Sequence, residues 1–319
     1  MKFDFTVLAP VLIAFGISVI LCPIMIPLLH KMKFGQFVRD EGPESHLKKS
    51  GTPTMGGIII LCSIVLTSLF YIKSNPLILP VLFVTLGFGL VGFLDDYIKV
   101  VMKRSMGLRA WQKMIGQFLV TAVFAYYLAN YTDVGTGVLI PFTHGNEIDL
   151  GFWFYPFLFF VVIGTVNGTN FTDGLDGLLS SITVLTATFF TVVAIGTNSG
   201  LEPVTCAAVG ALLGFLVFNV YPARVFMGDT GSLAVGGLIA SVAVMQKMPI
   251  YIVIVGFIYL AEVLSVIIQV TYFKKTGKRV FKMAPIHHHF ELSGWPETKV
   301  VAIFSIITAI LCLVGLVAL

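Results

Sequence analysis

The sequence predicts an all-α, polytopic integral membrane protein with about ten transmembrane helices. Hydrophobic residues make up 57% of the 319 residues and charged residues only 11%, whereas about a quarter of the residues of a soluble protein are charged. The mean hydropathy is +0.96, and long apolar runs fill nearly the whole chain. The four cysteines lie inside those runs without paired spacing, which indicates neither a disulfide framework nor a zinc site.

Ten apolar runs are long enough to cross a bilayer, or nearly so, since a transmembrane helix needs about 20 residues. The first, Thr6–Leu29, is too long for a cleavable signal and is interpreted as a spanning helix. The run 152–166 is short, as expected of a helix that stops where a site is built. Together they predict one integral membrane domain over residues 1–319. The ten runs are 6–29, 55–72, 76–94, 114–131, 152–166, 178–196, 203–219, 232–247, 249–273 and 299–319.

The basic residues orient these helices. Four loops on one side of the predicted topology hold 17 of the 20 lysines and arginines, and the opposite side holds only Lys2, Lys73 and Lys247. Because the basic side of a membrane protein faces the cytoplasm, we expect both termini to be extracytoplasmic and segment 166–178 to be cytoplasmic. The four basic loops are 30–53, 95–113, 220–230 and 273–299.

The densest polar segment, Val166–Leu178, reads VNGTNFTDGLDGL between two apolar runs. Asn167, Asn170, Asp173 and Asp176 recur every three residues, so on a helical turn they would share a face. Oxygen ligands without a nearby cysteine suit a hard cation such as Mg²⁺. The alternative is an acidic polar loop, but no lysine or arginine balances the carboxylates.

Adjacent carboxylates, Asp95 and Asp96, close the third apolar run. Negative charge is unfavourable at a helix C-terminus, so this pair indicates a functional role more than a solvated helix end. A basic cluster follows it, and most of that cluster is explained by the preference of cytoplasmic loops for positive charge. Its members are Lys99, Lys103, Arg104, Arg109 and Lys113.

The other loops on the predicted cytoplasmic side carry anion-binding residue types. In HLKKSGTPTMGG, Lys49 and Thr54 supply a cation and a hydroxyl beside paired glycines, although the phosphate-loop spacing is absent. In FNVYPARVFMGDTGS, Asp229 is either a helix cap or a functional carboxylate. Asn219 and Phe226 supply an amide and an aromatic face in the same loop.

Three consecutive histidines, His287, His288 and His289, lie in APIHHHFE. Neighbours on a helix point about 100° apart, so the three cannot all ligate one metal. We expect one or two of them to bind phosphate or to orient a carboxylate. Glu262 lies in the middle of an apolar run, where an interhelical hydrogen bond is favoured over a functional role, and the basic run Lys274–Lys282 would lie at headgroup level.

The motifs SGTPTMGG, FLDDYIKV, NGTNFTDGLDGL, FMGDTGS and APIHHHFELSGWPE occur in this order between His46 and Glu297. Together they resemble the phospho-N-acetylmuramoyl-pentapeptide-transferase family of the polyprenyl-phosphate N-acetylhexosamine-1-phosphate transferase superfamily. The resemblance implies a bacterial plasma-membrane enzyme of peptidoglycan biosynthesis with an active site built from cytoplasmic loops. Its substrates would be UDP-MurNAc-pentapeptide and undecaprenyl phosphate, its products lipid I and UMP, and its cofactor Mg²⁺.

The resemblance also suggests roles for the motif residues. Asp229, Asp95 and Asp96 would form the metal site, with Asp95 acting on the lipid phosphate and His288 completing the catalytic group. The remaining residues are expected to bind substrate: the nucleoside would contact Asn219 and Phe226. The full substrate-binding set is Lys49, Thr54, Asn167, Asn170, Asp173, Asp176, Asn219, Phe226, His287 and His289.

Two other functions compete with this one. A sister enzyme that transfers GlcNAc-1-phosphate to the same lipid shares the aspartate motifs, but HHHFE argues against it. A cation-coupled transporter could also place Asp and Asn at broken helices, yet its charged site should lie near the bilayer midplane, where only Glu262 is found. A homodimer is compatible with the sequence, and no nucleic-acid partner is expected.

Overall fold

The computed structural model describes residues 5–31, 51–102 and 107–319. In that part of the chain, one small hairpin and two 3₁₀ turns (Gly151–Trp153 and Pro249–Tyr251) accompany the helices. The hairpin strands are β1 (Gly137–Leu139) and β2 (Glu147–Asp149). The helices are α1 (Phe5–Lys31), α2 (Gly57–Leu69), α3 (Ile78–Val101), α4 (Ala110–Tyr131), α5 (Phe154–Thr172), α6 (Leu178–Thr197), α7 (Glu202–Asn219), α8 (Gly228–Met245), α9 (Ile252–Val255), α10 (Phe257–Thr276), α11 (Ile286–Glu291) and α12 (Glu297–Val317).

Eight helices of the described chain are long and apolar enough to cross a membrane, which confirms the predicted all-α, multi-pass class. Two of the ten predicted spans are not among these eight, and a third is among them but is divided. The run 55–72 forms α2, which has only 13 residues. The run 114–131 forms α4, which has 22 residues but begins four residues earlier and so includes Lys113. The run 249–273 is divided, because the backbone leaves helical geometry at Gly256 between α9 and α10.

Helix α8 is the centre of the bundle, since every residue from Thr230 to Met245 is buried. Its first turn lies backbone to backbone against two other helices. A β-carbon on Gly57 of α2 would lie 2.1 Å from the amide nitrogen of Gly231, and one on Gly92 of α3 would lie 2.0 Å from the carbonyl oxygen of Asp229. Only glycine permits such contacts. They bring the start of α2 and the C-terminal half of α3 against the first turn of α8, which carries Asp229.

The hairpin lies at the opposite end of the bundle from Asp229. β1 and β2 pair antiparallel, with Val138 opposite Ile148. The Leu139 amide donates to the carbonyl of Lys247 at 2.8 Å, just beyond the end of α8, and the Phe142 amide donates to Ala318, just beyond α12, at 2.8 Å. The hairpin therefore ties together the ends of α8 and α12.

Candidate active site

Asp96 of α3 caps the first turn of α8. Its Oδ2 accepts hydrogen bonds from the amide of Thr230 at 2.8 Å and from the Thr230 hydroxyl at 2.7 Å, and its Oδ1 accepts one from the Asp229 amide at 3.2 Å. The first amides of a helix have no partner within the helix and attract negative charge. The cap of α8 thus comes from another helix, and Asp229 is left to face the site.

Asp95 lies beside Asp96 and is held by the segment before α4. The Leu108 amide donates to Oδ1 of Asp95 at 2.8 Å. A β-carbon on Gly107 would lie 2.6 Å from the same oxygen, so this segment packs closely on the carboxylate. The second oxygen of Asp95 faces Lys99, at 2.6 Å from the ammonium nitrogen.

Asp95, Asp96 and Asp229 form one carboxylate cluster. Each offers an oxygen, and the three oxygens lie within 4.8 Å of one another. Asp95 and Asp96 are 3% and 2% exposed. A compact set of oxygen donors without imidazole or thiolate fits a hard divalent cation. The structure therefore brings together the three residues that the sequence predicted as metal ligands.

Two lysines lie against this cluster. The Lys99 ammonium is 2.9 Å from Oδ2 of Asp229 and 3.7 Å from Oδ1 of Asp96, in addition to its contact with Asp95. The Lys113 ammonium is 2.9 Å from the same oxygen of Asp229 and 3.1 Å from Oδ1 of Asn170. The site is thus a mixed cluster of three carboxylates and two ammonium groups, which suits phosphate chemistry.

The polar segment Val166–Leu178, called the strip below, is helical in its first half and a turn in its second half. Helix α5 continues to Thr172, so Asn167 and Asn170 share a helical face as predicted. Asn167 exchanges hydrogen bonds with Gln117 of α4, at 2.8 and 3.3 Å. Asn170 donates to Oδ1 of Asp229 at 2.9 Å and to the hydroxyl of Ser232 at 2.8 Å. The first half of the strip therefore orients Asp229 and joins α4 to α5.

The two aspartates of the strip lie beyond the end of α5. Asp173 caps that end, and its carboxylate accepts a hydrogen bond from the Gly228 amide. Burial raises the pKa of the Asp173 carboxyl well above its usual range, and the nearby carboxylates of Asp229 and Asp96 raise it further. Asp176 accepts a hydrogen bond from the Ala223 amide at 2.9 Å, which fixes the loop before α8.

The histidine helix α11 lies against the strip through His287. Its buried ring is 3.1 Å from the carboxylate of Glu262, whose other oxygen accepts the Ile286 amide at 2.9 Å. A β-carbon on Gly174 would lie 2.1 Å from Nε2 of His287, so the ring lies directly on that glycine. The predicted interhelical hydrogen bond of Glu262 is present, and its partner is the start of α11.

The ring of His288 packs against that of His287, with centroids 4.1 Å apart, but the two remaining histidines have other hydrogen-bond partners. Nδ1 of His288 lies 2.8 Å from the carboxylate of Glu291, one turn further along α11, as expected of a histidine that orients a carboxylate. Nδ1 of His289 accepts the Lys282 amide at 3.1 Å. The Nδ1 atoms of the three rings therefore each have a different partner: Glu262, Glu291 and the Lys282 amide.

The chain is similar to known transferases along nearly its whole length. Residues 78–247, which hold the three carboxylates, match the model of glycosyl transferase family 4, and residues 49–61 match signature 1 of phospho-N-acetylmuramoyl-pentapeptide-transferase. A transferase of that name from Clostridium novyi is 54% identical over 97% of this chain and 95% of its own. One from Acetivibrio thermocellus is 53% identical over 97% and 94%, and one from Clostridium perfringens is 50% identical over 98% of both.

The chain belongs to the phospho-N-acetylmuramoyl-pentapeptide-transferase family. In this family member, two of the remaining predicted residues, Thr54 and Phe226, lie in the loops next to the start of α8. A β-carbon on Gly228 would lie 2.8 Å from both the Thr54 hydroxyl and Oδ2 of Asp96, which places Thr54 beside the cluster. The Phe226 backbone pairs with Pro53 and Gly56 at 2.8 Å, so it joins the two loops. Lys49 lies outside the described residues.

Asn219 of the transferase lies in the interior. It is 3% exposed, its amide nitrogen donates to the Val225 carbonyl at 2.9 Å, and its oxygen accepts the Ser180 hydroxyl at 3.0 Å. These contacts shape the loop that carries Phe226. Its predicted contact with a nucleoside stays a prediction.

Sequence reasoning missed the lysines of the transferase site. Lys99 and Lys113 were attributed to the general preference of cytoplasmic loops for positive charge, yet both bind Asp229 directly. The spacing held one available signal: Lys99 lies four residues after Asp95, so the two share a helical face. Lys113 carries no such local signal, because its partners come from α5 and α8.

Proposed function

We propose that this protein transfers phospho-MurNAc-pentapeptide from UDP-MurNAc-pentapeptide to undecaprenyl phosphate, giving lipid I and UMP in peptidoglycan biosynthesis. The observation that carries the proposal is the carboxylate cluster of Asp95, Asp96 and Asp229, bounded by two ammonium groups. Relatives at 50–54% identity over nearly their whole length bear the name of this reaction. Cleavage of a pyrophosphate needs charge neutralisation and positioning more than covalent chemistry.

The proposed cofactor is Mg²⁺, held by Asp229 with Asp95 and Asp96. When bound, it would neutralise negative charge on the pyrophosphate of the donor. Three oxygen donors within 4.8 Å fit such an ion. Asn170 donates to Oδ1 of Asp229 and the Lys113 ammonium contacts Oδ2, so each oxygen of this carboxylate has a partner that holds it in place. Asp96 is fixed by the amides of α8 and supplies a rigid wall to the metal site.

The bond changes follow from the named reaction. An oxygen of the lipid phosphate attacks the phosphorus that bears the sugar, the bond from that phosphorus to the bridging oxygen breaks, and UMP leaves with the bridging oxygen. Asp95 would take or orient a proton of the lipid phosphate, and Lys99, which contacts Asp95, would neutralise charge on the phosphates. A stoichiometric burst of UMP without lipid would show instead that an enzyme carboxylate is phosphorylated first.

The strip and α11 are proposed to form the donor-binding walls. Asn167, Asp173 and Asp176 would position the nucleoside diphosphate. Phe226 would stack on uracil, with Asn219 behind it. The hydroxyl of Thr54 would donate a hydrogen bond to phosphate. On the other side, His288 and His289 would contact phosphate while His287 anchors the helix. Lys49 is placed in the same set by its motif alone.

The proposed orientation puts the carboxylate end of the bundle at the cytoplasmic surface of the bacterial plasma membrane and both termini outside. The distribution of lysine and arginine supports it. A phosphate acceptor on a lipid requires a site at headgroup depth, and the cluster lies in the last two turns of α3 and the first turn of α8, not in the middle of the bundle. The chain is proposed to act as one domain, and the homodimer stays a prediction.

The deciding experiment is UMP release by the purified protein in detergent. We expect release that requires both Mg²⁺ and undecaprenyl phosphate, with UDP-MurNAc-pentapeptide as the preferred donor. Preference for UDP-GlcNAc in a competition assay would favour the sister enzyme. Absence of release under every condition would contradict the transferase proposal, whereas release without any ion gradient excludes transport as the primary activity.

A further inference from the structure

A basic turn follows α10 at the end of the bundle that carries the carboxylate cluster. Gly277 has a left-handed φ of +68°, which ends the helix and reverses the chain. The five cations around this reversal are exposed, the stretch 272–283 contains no acidic residue, and none of the five forms an ion pair with a described residue. The basic turn consists of Lys274, Lys275, Lys278, Arg279 and Lys282.

The reversal has a defined geometry that Gln269 of α10 maintains. Its Oε1 accepts the amides of Val280 and Phe281, both at 3.0 Å, and its Nε2 donates to the Phe281 carbonyl at 3.0 Å. The segment after Gly277 is therefore folded back along α10. The charges lie on a shaped surface, because three hydrogen bonds from one side chain hold the two arms together.

Apolar side chains are interleaved with these charges. Tyr272, Phe273 and Val280 are 42%, 49% and 47% exposed. The turn continues a helix that is long and apolar enough to span the membrane. Cations combined with exposed aromatic groups at the end of a spanning helix are suited to the headgroup layer, where ammonium and guanidinium groups extend to phosphate while rings remain in the interface.

We propose that the basic turn binds the headgroups of anionic membrane phospholipids. Five cations that form no ion pair with a described residue fit several phosphates, whereas the acceptor lipid of the proposed reaction offers only one. The proposal rests on the proposed membrane placement of this end of the bundle and not on the transfer reaction itself.

The turn is also connected to the histidine helix. The Lys282 amide donates to Nδ1 of His289 at 3.1 Å, and its ammonium donates to the Leu292 carbonyl at 3.0 Å. Headgroups bound at the turn would therefore restrain α11. Anionic lipid should increase turnover as well as bind.

The test measures lipid retention, so it stands whether or not the reaction is assigned correctly. The full chain is placed in nanodiscs of equal phosphatidylglycerol and phosphatidylcholine and then extracted, and the lipids that remain bound are counted by native mass spectrometry. We expect phosphatidylglycerol to be enriched at least about threefold. A variant with Lys274→Gln, Lys275→Gln, Lys278→Gln and Arg279→Gln should lose the enrichment, while Lys73→Gln, a lone cation in another loop, should keep it.

Gln269→Leu tests the geometry separately, because it retains every charge. We expect it to lose at least half of the enrichment. Equal retention of both lipids by the unmodified protein, or unchanged enrichment in the fourfold variant or in Gln269→Leu, overturns the proposal. It is overturned equally if undecaprenyl phosphate, added to the same nanodiscs, is retained in place of phosphatidylglycerol, since the turn would then be an acceptor subsite.

Discussion

The ammonium nitrogen of Lys113 lies 2.9 Å from Oδ2 of Asp229, although the two residues are 116 positions apart. Lys99 reaches the same oxygen at the same distance. Both ammonium groups therefore stabilise the charge of one carboxylate that is proposed to bind Mg²⁺. The two lysines and the proposed metal ion would therefore compete for the negative charge of Asp229, and this competition can be measured.

Lys113→Gln should slow the enzyme and tighten its hold on metal. Removing a cation from Asp229 increases the attraction of the cluster for Mg²⁺. The variant also loses a positive group that is proposed to lie beside the substrate phosphates, and loss of such a group typically lowers kcat by about 10²–10³-fold. Steady-state UMP release, titrated with Mg²⁺, measures both effects. Lys73→Gln is the matched control, and a weaker apparent Mg²⁺ affinity in Lys113→Gln would contradict the competition.

Asn170→Asp should disable the site with almost no change in shape. The Asn170 amide donates to Asp229 at 2.9 Å and to Ser232 at 2.8 Å, and an aspartate would replace that donor with a second negative charge. We expect kcat to fall by about 10²-fold or more, because the hydrogen bond becomes a repulsion. Ser232→Ala removes only the second partner and should lose a few-fold. Equal activity of the two variants would show that Asn170 does not orient Asp229.

Gly174→Ala should move the histidine helix. A β-carbon there would lie 2.1 Å from Nε2 of His287, a distance at which the ring must shift. Because that ring is buried against Glu262, we expect a lower melting temperature and at least about tenfold lower activity. Gly164→Ala on α5 is the control, since its β-carbon would meet nothing within 4 Å. Unchanged activity in Gly174→Ala would mean that the position of α11 does not affect the reaction.

The spanning helices were predictable because the bilayer requires long apolar runs, and hydropathy records them. The motif carboxylates were predictable for a different reason: Asp95 and Asp96 at the end of such a run are unfavourable unless they have partners. Their partners were not predictable. Asp96 binds Thr230, which is 134 residues away, and no local spacing indicates that contact.

The basic residues show most clearly what the sequence alone does not reveal about the site. Membrane insertion favours lysines in cytoplasmic loops whatever else they do, so a functional lysine there resembles a topological one. Lys113 differs from its neighbours only in where α4 places it. Hydropathy indicated that Lys113 lies in a loop. Because α4 begins one turn earlier, at Ala110, Lys113 is instead a helical residue that faces Asn170.

Asp173→Asn should make stability less sensitive to rising pH. Burial, with the carboxylates of Asp229 and Asp96, raises the pKa of Asp173 in the folded protein well above its usual range. The folded state therefore binds this proton more tightly than the unfolded state. The resulting stability is present below the unfolded pKa and is lost as pH rises through the folded one. Asparagine resembles the protonated form, so the melting temperature of the variant should rise relative to that of the unmodified protein as the pH increases above the ordinary range of a carboxyl group. Thermal unfolding is measured in a chelator, because a bound cation would lower the same pKa. If the difference in melting temperature between the two proteins stays constant with pH, or changes in the opposite direction, then Asp173 is ionised at its ordinary pKa and is not protonated in the folded protein above that pH.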